Sequence, residues 1–346
     1  MLTIKILKAG QGDSILIRFL GDDEVYKNIL IDGGNKKSEY SKHLKKEILQ
    51  IQESKENLDL MIITHTDQDH VKGIQYLLED HEIDKSMIKE IWFNSFDSSY
   101  ASESNDISYI ESCKIQNLII KHDIPRNNNI VMSDDLLPID FFGAKITILS
   151  PKKEDLKKLI IQNDLDISST GNDYNFSIKE LIEKNTTIFI DRNEDLDTTL
   201  ENRASIAFLL ELYDKSFLFL GDANPDIIEQ TIEMLNKVRG IESINIDFVK
   251  LSHHASHRSL SFRMLELITT KNYFISANRN KSGLPNKLTF AKILGSEANG
   301  SKVNFIFNYS DYEVDENKRL NFSSSEMKNF DCINPNYENG YLVNYE

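Results

Sequence analysis

Four side chains that commonly bind metals in proteins occur within six residues of this chain. They are His65, Asp67, Asp69 and His70, and they directly follow the apolar run Leu60–Ile63. That run has the length and branched content of a β-strand, so the four side chains are expected at its C-terminal end, facing a cleft. Imidazole and carboxylate together suit zinc, manganese or iron, and alternate positions can serve two ions that bridge a water. This density predicts a metal centre.

The same segment has a plainer interpretation, a polar loop that caps a helix. Asp69 would then cap a helix beginning near His70. This interpretation leaves two histidines, two aspartates and their place at a strand end as coincidences, so the metal centre is preferred. A dinuclear site needs about six or seven protein ligands, and the missing ones are expected at other strand ends.

Two further apolar runs end in side chains of the same kinds. Asp222 follows the run Lys215–Leu220, and three of the eight histidines lie within His253–His257, after Ile244–Leu251. A single carboxylate at a strand end can bridge two metals. Alternatively, Asp222 only caps the helix predicted over Pro225–Val238. If these strand ends meet at one cleft, the two histidine clusters can supply ligands to the same metal centre.

The remaining elements must position these side chains. Strands are predicted over Leu2–Leu7, Ser14–Leu20, Tyr26–Ile31, Ile88–Phe93, Phe141–Leu149, Ala204–Leu212, Val303–Phe307 and Tyr341–Tyr345, and helices over Lys37–Lys55, Val71–Leu78, Ile107–Ile120 and Tyr174–Lys184. Asp32 follows one of these strands and precedes Gly33 and Gly34. It either supports the metal ligands or is an ordinary turn aspartate.

Residues 152–202 turn strongly polar and are predicted to be an insertion. They are interpreted as a lid, a recruitment surface or a loosely ordered excursion. Glu194, Asp195 and Asp197 would disfavour long polyanions if the insertion hangs over the cleft. We expect that most of it can be replaced by a short linker without unfolding the protein.

Composition predicts a soluble globular protein. The chain has 346 residues, 40% of them hydrophobic, and a formal net charge of -15 at pH 7. No apolar stretch approaches the roughly 20 residues of a membrane span, and the first residues lack the layout of a signal peptide, so we expect no membrane association and a cytoplasmic location. Cys113 and Cys332 are far apart and expected to be reduced. The negative charge argues against broad non-specific binding of nucleic acids.

The motifs and their order resemble those of a known fold. They are Gly10–Ser14 (GQGDS), Leu30–Gly34 (LIDGG), Thr64–His70 (THTDQDH), Asn202–Ser205 (NRAS), Gly221-Asp222 and His253–Ser256 (HHAS). Together they resemble the metallo-beta-lactamase fold, and specifically the metallo-hydrolase domain of ComEC-type DNA-uptake competence proteins. The resemblance covers residues 2 to about 278.

This resemblance implies that residues 1–346 form a single α/β domain. Its expected architecture is a four-layer αβ/βα sandwich, with two mixed sheets face to face, helices outside, and the polar insertion at 152–202. The metals would lie in a cleft at one sheet edge. Two divalent ions are implied, with zinc preferred and manganese as the alternative.

The resemblance also implies a set of ligands. One metal site would take His65 and Asp67, the other would take Asp69, His70 and a histidine of the 253–254 pair, and Asp222 would bridge them. His253 is the preferred ligand because it comes first after the strand, which makes His254 a supporting or acid–base residue. The reverse order stays open.

Three departures from the family pattern bear on this set. Ala255 replaces the usual glycine, which changes the freedom of its loop. Leu284 stands where a histidine often precedes proline. No histidine lies between His122 and His253, so the third-histidine motif of two-zinc lactamases is missing. The site with His65 and Asp67 is therefore expected to be under-coordinated, completed by water or better suited to manganese.

The predicted reaction is hydrolysis by a metal-activated water. Asp69 or Asp222 would orient the water, and His254, His257 or solvent would protonate the leaving group. A phosphodiester, in DNA, RNA or a nucleotide, is the first choice of substrate by analogy with the family. The alternatives are a hydrolase of a small ester, lactone or amide, and a non-catalytic metal-binding module with a protein partner in a defence or uptake system. Such a partner would bind through the 152–202 insertion.

Overall fold

A computed structural model describes residues 1–95, 107–159, 173–279, 283–296 and 302–345. The described strands are β1 (Leu2–Leu7), β2 (Ile15–Leu20), β3 (Tyr26–Ile31), β4 (Leu60–Ile63), β5 (Ile91–Phe93), β6 (Arg126–Asn127), β7 (Ile139–Phe141), β8 (Ala144–Ser150), β9 (Ala207–Leu212), β10 (Lys215–Phe219), β11 (Ile244–Asn245), β12 (Phe248–Lys250), β13 (Ile268–Thr269), β14 (Asn272–Ile275), β15 (Val303–Phe307), β16 (Phe330–Ile333) and β17 (Gly340–Tyr345). The described helices are α1 (Lys37–Glu39), α2 (Lys45–Glu53), α3 (Gln68–Glu79), α4 (Ile107–Lys121), α5 (Lys153–Leu159), α6 (Ile178–Lys184), α7 (Thr186–Phe189), α8 (Leu200–Arg203), α9 (Pro225–Arg239), α10 (Phe262–Leu267) and α11 (Lys287–Leu294).

The described strands form two large mixed sheets and one small pair. The first sheet has the order β17-β1-β2-β3-β4-β5-β6, and the second has the order β16-β15-β14-β12-β10-β9-β8-β7. Strands β3, β4, β5 and β6 run parallel in the first sheet, as do β10, β12, β14, β15 and β16 in the second. Parallel neighbours end at the same sheet edge, so the residues that follow them lie close together.

Three hydrophobic clusters separate four layers. One lies between the two sheets and includes Ile4 of β1 and Phe208 of β9. A second packs helices, through residues such as Leu77 of α3, on the outer face of the first sheet. The third joins Leu209 of β9 to Ile232 of α9 on the outer face of the second sheet. Neighbouring residues of β9 thus enter different clusters, because side chains alternate along a strand. The predicted four-layer αβ/βα sandwich is confirmed.

Two of the predicted strands are divided in the structure. The run 141–149 contains the turn Phe142-Gly143, where both residues have positive φ, so β7 and β8 form a hairpin instead of one strand. The run 244–251 is divided because β11 pairs with β13, whereas β12 pairs with β10 and β14. The ends of these runs nevertheless match the prediction closely.

The starts of two helices exclude the capping interpretations of the acidic residues. Helix α3 begins at Gln68, so Asp69 lies within its first turn and is not its cap. Asp67 precedes that helix, yet its side chain makes no capping hydrogen bond. Helix α9 begins at Pro225 after Asn224, so Asp222 does not cap it. These aspartates have other roles.

The described part of the polar segment is anchored to the second sheet. Tyr174, Ile178 and Leu181 are buried and belong to the outer cluster on that sheet. This differs from the expectation that the segment contributes little to the core, because its few apolar residues are spaced to pack on one side. The limits of the insertion stay a prediction.

Two further observations concern membrane-spanning helices and the two cysteines. Among the helices in the described ranges, none has the length and apolarity needed to cross a bilayer. Cys113 and Cys332 are both free thiols.

Candidate metal centre

Four strand ends converge at one edge of the sandwich. Asp32 follows β3, and His65 follows its parallel neighbour β4 by two residues. In the other sheet, Asp222 follows β10, and the histidine pair 253–254 follows β12. A backbone hydrogen bond links the two sheets at this edge, because the amide of Ile206, just before β9, donates to the carbonyl of Thr64 at 2.8 Å. Most of the predicted ligands are therefore supplied by strand ends, as expected from the sequence.

One group of ligand atoms surrounds a single oxygen of Asp222. The Nε2 atom of His65 lies 3.6 Å from Asp222 Oδ2 and 3.7 Å from Asp67 Oδ2. The Nε2 atom of His253 lies 4.0 Å from the same Asp222 Oδ2. Ligands of one ion lie about 3–4 Å apart when each metal–ligand distance is about 2 Å. We refer to these four residues as group A.

A second group surrounds the other oxygen of Asp222. The Nε2 atom of His70 lies 3.4 Å from Asp222 Oδ1 and 3.9 Å from Asp69 Oδ1. Asp69 Oδ2 in turn lies 3.2 Å from His254 Nε2. Asp69, His70 and His254 offer ligand atoms that all lie within 4.8 Å of one another. We refer to these three residues with Asp222 as group B.

The two histidines of the 253–254 pair face different groups. His254 contacts Asp69 and is completely buried, whereas the His253 side chain is 33% exposed. Both residues and Ala255 have positive φ, so the chain makes a tight left-handed turn and the two rings diverge with an interplanar angle of 82°. Glycine is favoured at such a position, and an L-residue there costs roughly 1–2 kcal/mol. His254 thus lies among the potential ligands of group B, and which of the two histidines binds a metal stays a prediction.

Asp32 holds the ring of His70. Its Oδ2 lies 2.7 Å from His70 Nδ1, and its two oxygens accept hydrogen bonds from the amide and hydroxyl of Thr64 at 2.8 and 2.7 Å. A carboxylate that accepts from Nδ1–H leaves the lone pair of Nε2 for a metal. This is the supporting role that one of the two interpretations of Asp32 predicted.

His254 is held in a comparable way by Ser276 and Asp13. Its Nδ1 lies 3.0 Å from the carbonyl of Ser276, which can only accept, and 3.5 Å from Asp13 Oδ1. Asp13 forms a buried ion pair with Lys250 at 2.5 Å. Asp13 belongs to the motif GQGDS (Gly10–Ser14), so the family resemblance pointed to it. Nothing local in the sequence signals Ser276 or the pairing of Lys250.

Gly12 allows the turn Gly10–Asp13 to pack closely against Asp69 of group B. A Cβ atom at Gly12 would lie 1.5 Å from the carbonyl oxygen of Asp69. Residue 12 therefore has to be glycine if Asp13 and Asp69 are to occupy their present positions.

The electrostatic field at the centre favours cations. Burial opposes charge on His70, but Asp222 and Asp32 outweigh it and raise the pKa of that imidazole. For His254, burial is likewise outweighed by hydrogen bonds with Asp13 and Asp69, and the pKa rises to about 9. Burial would raise the pKa of Asp222, but the surrounding histidines lower it well below its ordinary value. Carboxylates that stabilise an imidazolium at this place also stabilise a divalent cation.

The donor atoms fit such a cation. His65 Nε2, His70 Nε2 and Asp222 Oδ1 are buried, and none has a hydrogen-bond partner among the residues that the structure describes. A buried polar atom without a partner costs about 1–3 kcal/mol. Imidazole nitrogens and carboxylate oxygens are the donors that zinc and manganese accept. Binding of a metal would satisfy all three atoms.

The sandwich and the histidine–aspartate centre at its edge are those of a metallo-beta-lactamase fold. The chain belongs to the metallo-beta-lactamase superfamily, since the model of that family matches residues 7–277. Members of this superfamily are mostly metal-dependent hydrolases. No curated protein matches this chain.

Solved structures of similar fold have low sequence identity. The metallo-beta-lactamase fold protein YhfI from Bacillus subtilis is 12% identical, with a TM-score of 0.43 and coverage of 99% of this chain and 98% of that one. A diphosphatase from the PhnP family is 11% identical, with a TM-score of 0.40 and coverage of 100% and 98%. Zinc-bound PqqB from Methylobacterium extorquens is 11% identical, with a TM-score of 0.38 and coverage of 99% and 100%.

Proposed function

We propose that this protein is a hydrolase that binds two divalent metal ions and cleaves a phosphodiester with a metal-activated water. The observation that carries the proposal is the convergence of His65 Nε2, His70 Nε2 and Asp222 Oδ1, which are buried and without hydrogen-bond partners in the described residues. A purely structural cluster would hydrogen-bond these atoms to each other or to backbone groups, whereas His70 Nε2 and Asp222 Oδ1 lie 3.4 Å apart without forming a hydrogen bond. Their arrangement around the two oxygens of Asp222 supports two ions instead of one.

Groups A and B would hold the divalent ions, whose chemistry would be to lower the pKa of a water toward about 7 and to withdraw charge from the attacked ester oxygen. The side chains of the protein would orient the ions and the attacking water. Asp222 directs one oxygen to each group, and the side chain of Asp69 is partly exposed, so it can accept a hydrogen bond from the attacking water. His254 suits a ligand role better than the expected acid role, because it is buried behind Asp69. The proton for the leaving group would then come from His257 or solvent.

The charges near the centre favour a small substrate over a polymer. Lys250 is paired with Asp13, Arg203 with Asp155 and Asp226, and Arg258 with Asp195. A cation already paired with a carboxylate neutralises little charge on an added phosphate chain. This pairing favours a small phosphodiester or nucleotide. It also favours the second candidate, hydrolysis of an uncharged ester or lactone.

Metal content and turnover test this function together. Purified wild-type protein is expected to contain up to two transition-metal ions per chain and to hydrolyse bis(p-nitrophenyl) phosphate with zinc or manganese. Asp69→Ala should lose at least one ion and the activity, with little change in melting temperature of the metal-free protein. Asp214→Ala changes an exposed aspartate in the β9–β10 turn and is the matched control.

Three outcomes decide between the candidates. A metal-free wild type that gains no activity from either metal would refute the proposal. Hydrolysis of p-nitrophenyl acetate or a lactone, without action on the phosphodiester, would select the second candidate. Equal turnover by wild type and Asp69→Ala would refute catalysis at this centre and leave a metal-binding module.

The resemblance to ComEC-type metallo-hydrolase domains supports the phosphodiester proposal, since its motifs at Gly10–Ser14 and Leu30–Gly34 supply Asp13 and Asp32 to the centre. On that analogy the natural substrate would be a nucleotide or a short nucleic acid. A protein partner that binds residues 152–202 stays a prediction.

A further inference from the structure

Asp197, in the polar segment, has a carboxylate that is buried and hydrogen-bonded within the protein. Its Oδ1 accepts hydrogen bonds from the amide and hydroxyl of Thr199 at 2.9 and 3.0 Å. Its Oδ2 accepts from Asn202 Nδ2 at 2.5 Å and lies 3.7 Å from His253 Nδ1. The side chain is only 6% exposed. A carboxylate fixed by three donors has one orientation, and that orientation faces the imidazole.

The backbone of the same segment is fastened to the histidine loop. The amide of Asp197 donates to the carbonyl of Arg258 at 2.9 Å. Glu194 pairs with the buried Lys292 at 2.7 Å and accepts from the amide of Phe262 at 3.1 Å. These contacts differ from the expectation that the acidic residues hang over the cleft and repel polyanions. Glu194 and Asp197 are instead largely buried and bonded within the protein, and the exposed Asp195 pairs with Arg258.

The ring of His253 spans from this carboxylate to the metal centre. One nitrogen, Nδ1, faces Asp197, and the other, Nε2, faces Asp222 Oδ2 at 4.0 Å. Asn202 Nδ2 carries two hydrogens, one of which it donates to Asp197 at 2.5 Å, and it lies 3.4 Å from Nδ1. The carboxylate, 3.7 Å from Nδ1, is the acidic group toward which Nδ1–H would point when Nε2 offers its lone pair to group A.

We infer that Asp197 is a positioning residue that holds His253 as a ligand of group A. The two adjacent histidines then serve different metals, His253 with His65 and His254 with His70. This inference rests on the proposed two-metal centre and deepens it. It also gives group A four protein ligands, although the sequence predicted that this site would be under-coordinated. Asp197, in the described part of the polar segment, thus becomes part of the metal centre.

Cobalt binding to the full chain tests the inference without reference to turnover. Metal-stripped protein is titrated with Co²⁺ while binding is followed by calorimetry and visible absorption. Wild type should bind two equivalents. Asp197→Asn should weaken one equivalent about 10- to 100-fold and leave the other unchanged, as expected for loss of a carboxylate that orients a ligand. Asp195→Asn removes the same charge two residues away, from a side chain that is 80% exposed, and should bind like wild type.

A second variant covers the case in which Asp197→Asn does not fold. His253→Ala should retain one tight equivalent of Co²⁺, and its proton NMR spectrum should lack one of the hyperfine-shifted, exchangeable imidazole signals of the wild type. Two equivalents of wild-type affinity in Asp197→Asn, or in His253→Ala, would overturn the inference. A wild type that binds two ions and hydrolyses its substrate would in that case still uphold the proposed function. A wild type that binds no metal would instead refute the proposed function itself.

Discussion

Removal of Lys250 should destabilise the protein through Asp13. Both side chains are buried, their charged atoms are 2.5 Å apart, and Lys250 also donates to the carbonyl of Leu251. Lys250→Met fills a similar volume but leaves Asp13 as a buried carboxylate without its cation. Breaking a buried pair in this way costs about 3–5 kcal/mol. At roughly 2 cal/mol/K of unfolding entropy per residue, the melting temperature should fall by about 4–7 °C.

The loss should depend on pH with a defined sign. Burial on its own would raise the pKa of Asp13, but the charge of Lys250 and contacts with His254 lower it to about 2. A depressed pKa contributes stability that is present above the ordinary value near 4 and is lost as pH falls toward 2. In Lys250→Met the carboxyl protonates at higher pH. The difference in stability between wild type and variant should therefore shrink as the pH is lowered from 7 to 4.

Urea denaturation in the presence of a chelator measures this difference without a contribution from metals. Lys287→Met is the matched control, since Lys287 is equally buried but lies 3.9 Å from its nearest partner carboxylate, Glu326, which is 13% exposed. The control should show a smaller loss that varies less with pH. A Lys250→Met penalty below about 1 kcal/mol, or one that stays constant from pH 7 to 4, would refute the reasoning.

Two further predictions concern the backbone around the centre. Gly12→Ala should remove at least one metal and lower the melting temperature, because the added Cβ would overlap the carbonyl of Asp69. Elemental analysis would compare it with Gly240→Ala, a control in which residue 240 has positive φ but open space around the added Cβ, so that steric overlap is distinguished from backbone strain. Equal metal content in both variants would contradict the prediction. Ala255→Gly should raise the free energy of unfolding by up to about 1 kcal/mol, because it relieves a positive φ at the turn; a clear loss of stability in chemical denaturation would show that the alanine side chain packs better than its backbone strain costs.

Several elements could be predicted from the sequence because local pattern decides them. Leu2–Leu7, Tyr26–Ile31, Leu60–Ile63 and Val303–Phe307 have the predicted bounds, since each is an apolar or alternating run that ends at polar residues. The strand-end position of His65 and Asp222 follows from the same pattern. The family motifs then indicated the sandwich, which the structure confirms.

Local pattern does not determine how separate segments meet. The run 244–251 is uniformly suited to a strand, and only pairing with different neighbours divides it into β11 and β12.

The histidine pair shows the same limit at the scale of side chains. Residues 253 and 254 have identical chemistry, so sequence order alone could not rank them as ligands. Their different partners follow from a left-handed turn, which is held by contacts of the loop with Gly221 and Asn286.

Asp197 lies 56 residues before His253 and looks like one acid among several in a polar stretch. It becomes distinct only because hydrogen bonds to Thr199, Asn202 and Arg258 bury it against the imidazole. The sequence by itself determined which side chains end the strands, since that depends on neighbours along the chain. The tertiary structure decided which of them face one another, because that depends on contacts between segments distant in sequence.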